Sequence, residues 1–316
     1  MPVRLALARA GPEIVATRDG DSQMAAICYM FRIKLKAQPS PVTVTCDDFH
    51  DYLRRTQNER RRAWAYRGHT NRGSTYRIES SLQRFLREHS FIQKNWWIAR
   101  ERASINRFKA GAHLHLEHLP EYDDTLSWLA LMQHYGAPTR LIDFTLSPAV
   151  GFFFAIHGAK PGDAYSVHAL HLNTIRAECY LKVKKRKGKA GPGDYYTPVA
   201  ADYRIGQSQT QDFVGVFASK LNSPRQQAQE GLFLVPSRLG LDVENWLRSC
   251  NPDKVRAHWI EYRFEPSEAN YKCNLEQFLQ IALSPVGLFP GLEGLAQSAR
   301  YSWFDLSRDY QPFDVP

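Results

Sequence analysis

Leu131-Met132-Gln133-His134-Tyr135-Gly136-Ala137-Pro138-Thr139-Arg140-Leu141-Ile142-Asp143-Phe144-Thr145 is the densest stretch of this chain, and the fold class is read outward from it. It closes a helix that starts at Thr125 and carries Leu126, Leu129 and Met132 near helical spacing. Gly136 reads as the C′ residue of that helix, and Pro138 prevents its continuation. Gln133, His134, Arg140 and Asp143 are polar groups set among apolar neighbours. Arg140 and Asp143 are near enough to pair. Such a pair is either a structural latch or part of a pocket wall that binds an anionic ligand through Arg140.

Downstream of Pro148, residues 149–156 are wholly apolar and fit a buried helix or a buried strand equally well. Residues 165–172 alternate as a strand. The basic run 182–189, followed by Gly191-Pro192-Gly193, reads as a solvated hairpin or loop. Residues 231–235 and 258–264 read as strands. Asn274 is placed as the cap of a helix with Leu275, Phe278, Leu279 and Ala282 on one side, and a last helix follows Pro290.

Upstream, residues 42–45 form a short β-like run, and Asp47 or Asp48 caps a helix holding Phe49, Tyr52 and Leu53 on one face. Residues 63–68 read as a strand ending at Gly68. One long helical region is expected from about 79 to 111, with Ile92, Trp96, Ala99, Ile105 and Phe108 as its stripe. Helices and strands follow no regular βαβ order. The expected fold is therefore α+β, a mixed sheet core flanked by helices. Residues 1–40 are expected to be a loose N-terminal arm. Residues 41–316 are expected to form a single domain with a helical C-terminal part.

Composition narrows the function classes. The 316 residues are 43% hydrophobic and 23% charged, which excludes a disordered or collagen-like chain. The formal charge is +9, from 41 Lys and Arg against 32 Asp and Glu. That excess serves either solubility or attraction to a polyanion such as nucleic acid or a dinucleotide phosphate. Five cysteines, none in a CxxC pair, argue against a disulfide scaffold and a zinc ribbon. No secretory signal is recognisable, and the least polar stretch, 144–159, falls short of the roughly 20 residues a bilayer span needs. A cytoplasmic protein without a membrane partner is expected.

P-loop, G-x-G-x-x-G and G-x-S-x-G motifs are absent. His113, His115 and His118, with Glu117 and Glu121, look like a metal cluster, but neither a helix nor a strand aligns the three imidazoles, and no metal is expected.

Tyr66-Arg67-Gly68 is the motif that names the FRG domain family, which this sequence resembles. The family's Tyr-x-Leu-x-Pro-Ser-Leu-x-Arg block appears as residues 76–84, with Ser80 in place of Pro. The strongest match is Gln133-His134-Tyr135-Gly136 with Pro138-Thr139-Arg140-Leu141-Ile142-Asp143-Phe144-Thr145, then Ser147-Pro148 and Phe153-Phe154-Ala155. Arg225, Gln229, Gly231 and Phe233 match a further block, and residues 289–294 a weaker one. The resemblance extends from about residue 42 to 300. It implies a domain whose members are largely defined by sequence rather than by activity.

A fainter resemblance, to arginine-type ADP-ribosyltransferases, implies chemistry. Those enzymes order an Arg on an early strand, a Ser-Thr-Ser-like strand with an apolar helix, and a Gln/Glu-x-Glu loop entering an apolar strand. Here the order is Arg67, then Thr145 and Ser147, then Gln227, Gln229 and Glu230. The resemblance implies NAD as substrate. Arg67 and Gly68 would bind it with Gln133, His134, Tyr135, Arg140 and Asp143, while Glu230, Gln229 and Thr145 would be catalytic. An Arg fork suits a diphosphate, and a carboxylate suits the oxocarbenium charge of glycosidic cleavage. The departures are Gln229 where Glu is expected and Glu230 one residue late. Each residue also has a plain structural use: Arg67 as partner of Asp143, Glu230 as a solvated turn charge, Thr145 as a helix cap.

The function expected is a toxin or phage-defence effector that transfers ADP-ribose to a nucleic acid or protein acceptor, or hydrolyses NAD. A non-catalytic module that binds a nucleotide or nucleic acid is the alternative. A metal-dependent nuclease using Asp143, His134 and Glu230 is a third and weaker option, since no compact carboxylate motif supports it.

Overall fold

The computed structural model describes residues 41–57, 63–71, 77–187, 212–219, 224–250, 257–280, 285–301 and 303, and only the backbone of 71, 182–187, 285 and 286. These residues belong to one compact unit, Leu35–Pro316. The arm expected at 1–40, Tyr76 and Gly191-Pro192-Gly193 lie outside the described residues.

Among the described residues, seven strands form one sheet in the order β1-β7-β4-β2-β3-β6-β5. They are β1 Val42–Cys46, β2 Trp64–Asn71, β3 Ile142–Thr145, β4 Ala164–His171, β5 Val214–Phe217, β6 Gly231–Pro236 and β7 Trp259–Phe264. β1 runs parallel to β7, and every other neighbouring pair is antiparallel. The fold is the α+β arrangement expected, with a mixed sheet flanked by helices.

Side chains alternate across the sheet and build two cores. On one face Trp64, Tyr66, Val167, Ala169 and Tyr262 pack against α1 (Phe49–Gln57), α5 (Pro148–His157) and α9 (Glu268–Gln280). On the other, Ala65, Leu170, Trp259, Leu232 and Leu234 pack against α3 (Trp97–Ala112), α4 (Thr125–His134) and α8 (Val243–Ser249). Phe152 and Phe153 of α5 are wholly buried, each burial contributing about 1.5–3 kcal/mol. The remaining described helices are α2 (Ser81–Glu88), α6 (Leu172–Lys187), α7 (Pro224–Ala228), α10 (Pro285–Leu288) and α11 (Leu292–Tyr301).

α5 lies against the backbone of β2. A Cβ on Gly68 would stand 1.9 Å from the Gly151 carbonyl oxygen and 2.4 Å from the Ala155 nitrogen, while one on Gly151 would stand 2.8 Å from Tyr66 Cβ. The glycine of Tyr66-Arg67-Gly68 is thus a contact surface for a helix, in a strand whose arginine faces the other way.

Local signals explain most boundaries. Asp48 caps α1, its Oδ1 accepting from Asp51 N at 2.8 Å. α4 ends in a Schellman motif: Ala137 N donates to Met132 O at 2.9 Å, Gly136 N donates to Gln133 O at 3.0 Å, and Gly136 has φ +83°. Residues 149–156 are helical because Ser147 caps the segment and Pro148 occupies its first turn.

Four expectations are corrected. The long helix expected over 79–111 is broken into α2 and α3, joined by a 3-10 turn, Lys94–Trp96. His89 N closes α2 on Phe85 O, and the Trp97 indole donates to Ile92 O at 3.0 Å, which fixes the corner. Ser80, standing where the FRG pattern has Pro, caps α2 by accepting from Gln83 N. The basic run from Lys182 continues α6 to Lys187 instead of turning. Asn274 is no cap: it lies buried inside α9, donating to the Tyr165 hydroxyl at 2.8 Å. Arg140 pairs with Glu101 rather than with Asp143. No helix among the described residues is long and apolar enough to cross a membrane.

Candidate functional site

A cavity of about 520 Å³ opens where β2 and β3 part. The two strands share the pair Tyr66↔Thr145, and the Arg67 side chain bridges the gap beyond it, donating from Nη1 to the Asp143 carbonyl at 2.7 Å. The volume is in the range of small-ligand sites.

Three adjacent strands and two helix ends supply the walls. β2 contributes Arg67 and Gly68; β3 contributes Asp143, Phe144 and Thr145; β6 contributes Gly231 to Phe233. The last turn of α4 brings Gln133 and His134, and α7 brings Arg225. Phe154 of α5 and Gln229, from the turn after α7, also line the cavity.

The polar groups are held in a fixed order. Gln133 Nε2 donates to Asp143 Oδ1 at 2.7 Å, and the Thr139 hydroxyl donates to Gln133 Oε1. Thr139 Oγ1 in turn accepts from Leu141 N at 3.1 Å, so the Schellman turn and β3 share one clamp. Thr145 Oγ1 donates to Gln229 O at 2.6 Å and accepts from Ser147 N at 3.0 Å. Gln229 Nε2 donates to Leu288 O at 3.0 Å. Arg225 Nη1 meets both Glu293 oxygens, at 3.0 and 3.3 Å, and its guanidinium lies 4.6 Å from the Phe289 ring centre. His134 is pushed below its ordinary pKa by desolvation and by Arg225, with Glu293 opposing, so it is neutral at pH 7.

Of the residues singled out in the sequence, Arg67, Gly68, Gln133, His134, Asp143, Thr145 and Gln229 meet at this cavity. Tyr135 is 57% exposed beside it and is not in its lining. Glu230 sits on an exposed turn with φ +45°, its carbonyl accepting from Leu146 N, and its side chain is not in the lining either. Arg140 is buried behind β3, where its Nε donates to Glu101 Oε1 at 2.7 Å and its Nη2 to Glu101 Oε2, so it presents no anion-binding fork to the cavity. Phe144, Phe154 and Arg225 line the cavity without having been assigned a part; Arg225 was legible only as a position in the FRG pattern.

His113, His115 and His118 are exposed at and beyond the end of α3. A different trio, His69, His168 and Glu261, brings ligand-type atoms within 4.8 Å of one another. Its hydrogen bonding reads as a protein network. The Trp259 indole, a donor only, gives to His168 Nδ1 at 3.1 Å, which leaves the neutral ring's proton on Nε2. That Nε2 faces His69 Nε2 at 2.9 Å as a donor, whereas a metal-bound imidazole donates outward from its other nitrogen. Ser166 and Arg263 extend the network to Glu261 at 3.2 and 2.8 Å.

No curated protein matches the chain, and neither does any solved structure. A family model does match: that of the FRG domain, over residues 62–164. This span contains β2, β3, α4 and α5, hence Arg67, Gln133, His134, Asp143 and Thr145, while Arg225 and Gln229 complete the cavity from outside it. With its Tyr66-Arg67-Gly68 motif packed between cavity and helix, the chain carries an FRG domain.

Proposed function

We propose that the cavity between β2 and β3 binds NAD and that the domain cleaves the bond between nicotinamide and ribose. The observation that carries this reading is the convergence of Arg67 from β2, Asp143 and Thr145 from β3, and Gln229 from the turn before β6, on one cavity of about 520 Å³. In this reading Arg67 and Arg225 hold the diphosphate, because a planar fork matches phosphate oxygens. Phe144 and Phe154 flank the flat ring.

Among the described residues that line the cavity, Asp143 supplies the carboxylate, so Asp143 takes the part that the resemblance assigns to Glu230. Its charge stabilises the ribose cation as the glycosidic bond breaks and the electron pair leaves with nicotinamide. The attacking water, or an acceptor hydroxyl or amine, passes its proton to Asp143 or to neutral His134. Gln133 orients the Asp143 carboxylate. Loss of NAD stops host metabolism, which suits a toxin or a phage-defence effector.

A second reading is a nucleotide-binding module without turnover. The engagement of Arg67 by the Asp143 carbonyl, and of the Asp143 carboxylate by Gln133, favours it. Nicotinamide release from labelled NAD separates the two. The first reading expects release that Asp143→Asn abolishes. Calorimetric binding of NAD or ADP-ribose, weakened by Arg67→Ala and accompanied by no release, would establish the second.

A further inference from the structure

The segment from α2 to α3 carries an unusual surface. Phe91 is 80% exposed and Trp96 55%, on the corner that joins the two helices, and Phe85 is 38% exposed on α2. These rings are arranged rather than scattered: Phe85 stacks on His89 at 4.2 Å, and Phe91 meets His89 edge-on at 5.8 Å. The same segment carries exposed Arg84, Arg87, Lys94, Arg100, Arg102 and Arg107. Acidic charge is scarce there. Glu101 is buried against Arg140, and Glu79 is largely covered by Arg84 and Arg87, which leaves Glu88 as the exposed acid of residues 81–109. None of the cavity-lining residues belongs to this stretch.

We propose that this surface binds single-stranded nucleic acid. Unpaired bases stack on exposed aromatic rings, and the phosphates follow the surrounding arginines; this pairing of platform and cation is the physics of sequence-tolerant single-strand binding. The charge is complementary to a polyanion and lies on one continuous segment. A membrane surface fits less well. Exposed Gln93, Lys94 and Asn95 separate Phe91 from Trp96, and Ile98, at 39%, is the large exposed aliphatic nearby, so there is no unbroken apolar stripe to insert. Duplex also fits less well, because its bases are already stacked on one another.

The proposal is independent of NAD chemistry. Its test is fluorescence anisotropy of the full chain with labelled oligothymidylate and oligouridylate, a matched duplex, and phosphatidylserine vesicles. Single strands are expected to bind more tightly than duplex, with an affinity that falls steeply as salt rises. Phe91→Ala and Trp96→Ala are each expected to weaken binding about tenfold. Arg100→Glu combined with Arg107→Glu is expected to flatten the salt dependence. Trp303→Ala, which removes an equally exposed ring elsewhere, is expected to leave affinity unchanged. These positions are exposed, so thermal melts of the variants should match the parent and keep the comparison clean. Absence of single-strand binding, equal binding of duplex, indifference to both aromatic variants, or binding to vesicles alone would overturn the proposal.

Discussion

Arg140 and Glu101, 39 residues apart in sequence, form a buried ion pair whose side chains are 5% and 3% exposed, and this pair ties α3 to the loop that enters β3. Arg140 Nη1 adds a long contact to Ser237 O at 3.4 Å. Removing one partner leaves the other charged and buried. Glu101→Ala is therefore expected to destabilise by about 3–5 kcal/mol. Glu101→Leu combined with Arg140→Met is expected to recover most of that loss, because neither charge then remains uncompensated. Urea titrations of the parent and the two variants measure both effects.

Gly68 permits the close approach of β2 and α5, and the atoms nearest an added Cβ belong to helix backbone. Backbone cannot swing aside as a side chain can. Gly68→Ala is expected to cost about 3 kcal/mol through displacement of α5. Arg67→Ala, one residue away on the opposite face, is expected to leave the melting temperature within a few degrees while reducing ligand affinity. Differential scanning fluorimetry with and without nucleotide distinguishes them.

Thr145 bonds the Gln229 carbonyl and the Ser147 amide with one hydroxyl. Thr145→Val preserves volume and removes both bonds, leaving two backbone groups unsatisfied. A loss of about 1–3 kcal/mol is expected. Thr145→Ser keeps the hydroxyl and should retain most of the stability, which a melting comparison reads directly.

Burial holds His168 down from 6.5 to about 4, with Arg67 and Arg263 acting in the same direction and Glu261 opposing. An unfolded histidine takes up its proton near pH 6.5, the folded one near 4. Between those values the unfolded state binds more protons, so stability falls as pH drops through that window, by on the order of 3 kcal/mol for this ring. His157, His171 and His258 are also shifted downward by burial and add to the trend. Urea midpoints between pH 7 and pH 4 should decline steeply. His168→Gln should make the decline shallower.

In the NAD reading, the two candidate carboxylates behave differently. Asp143→Asn is expected to lower nicotinamide release at least a hundredfold, whereas Glu230→Gln, on its exposed turn, changes it less than threefold. The reverse pattern, a large loss with Glu230→Gln and little with Asp143→Asn, measured by chromatography of the products, would return the role to Glu230.

The sequence was most legible where local chemistry decides structure. Asp48, Ser147-Pro148 and Gly136 each mark a helix end through bonds made within a few residues, and the alternation of 165–172 marks β4. It was least legible where a distant partner decides. Asp143 is close to Arg140 in sequence, but the fold carries Arg140 to Glu101 and hands the Asp143 carbonyl to Arg67. Asn274 resembles a cap until the Tyr165 hydroxyl, 109 residues away, meets it inside a helix. The network of His69, His168 and Glu261 joins three strands through pairs such as His168↔Glu261, and nothing near any of the three residues announces it. Half the cavity was readable as a motif. Arg225 enters it through Glu293 and Phe289, which follow 64 or more residues later.

The pairing of β1 with β7 sets a timetable for the newborn chain. Val42 to Cys46 emerge from the ribosome well before their sheet partner, Ile260 to Phe264, which is translated more than two hundred residues later. At roughly 5–20 residues per second, that edge remains without its ladder for about ten to forty seconds. Until β7 arrives, α1 has only part of the surface that buries Phe49 and Tyr52, and the nascent domain offers chaperones the uncovered apolar face of an amphipathic helix and a bare strand.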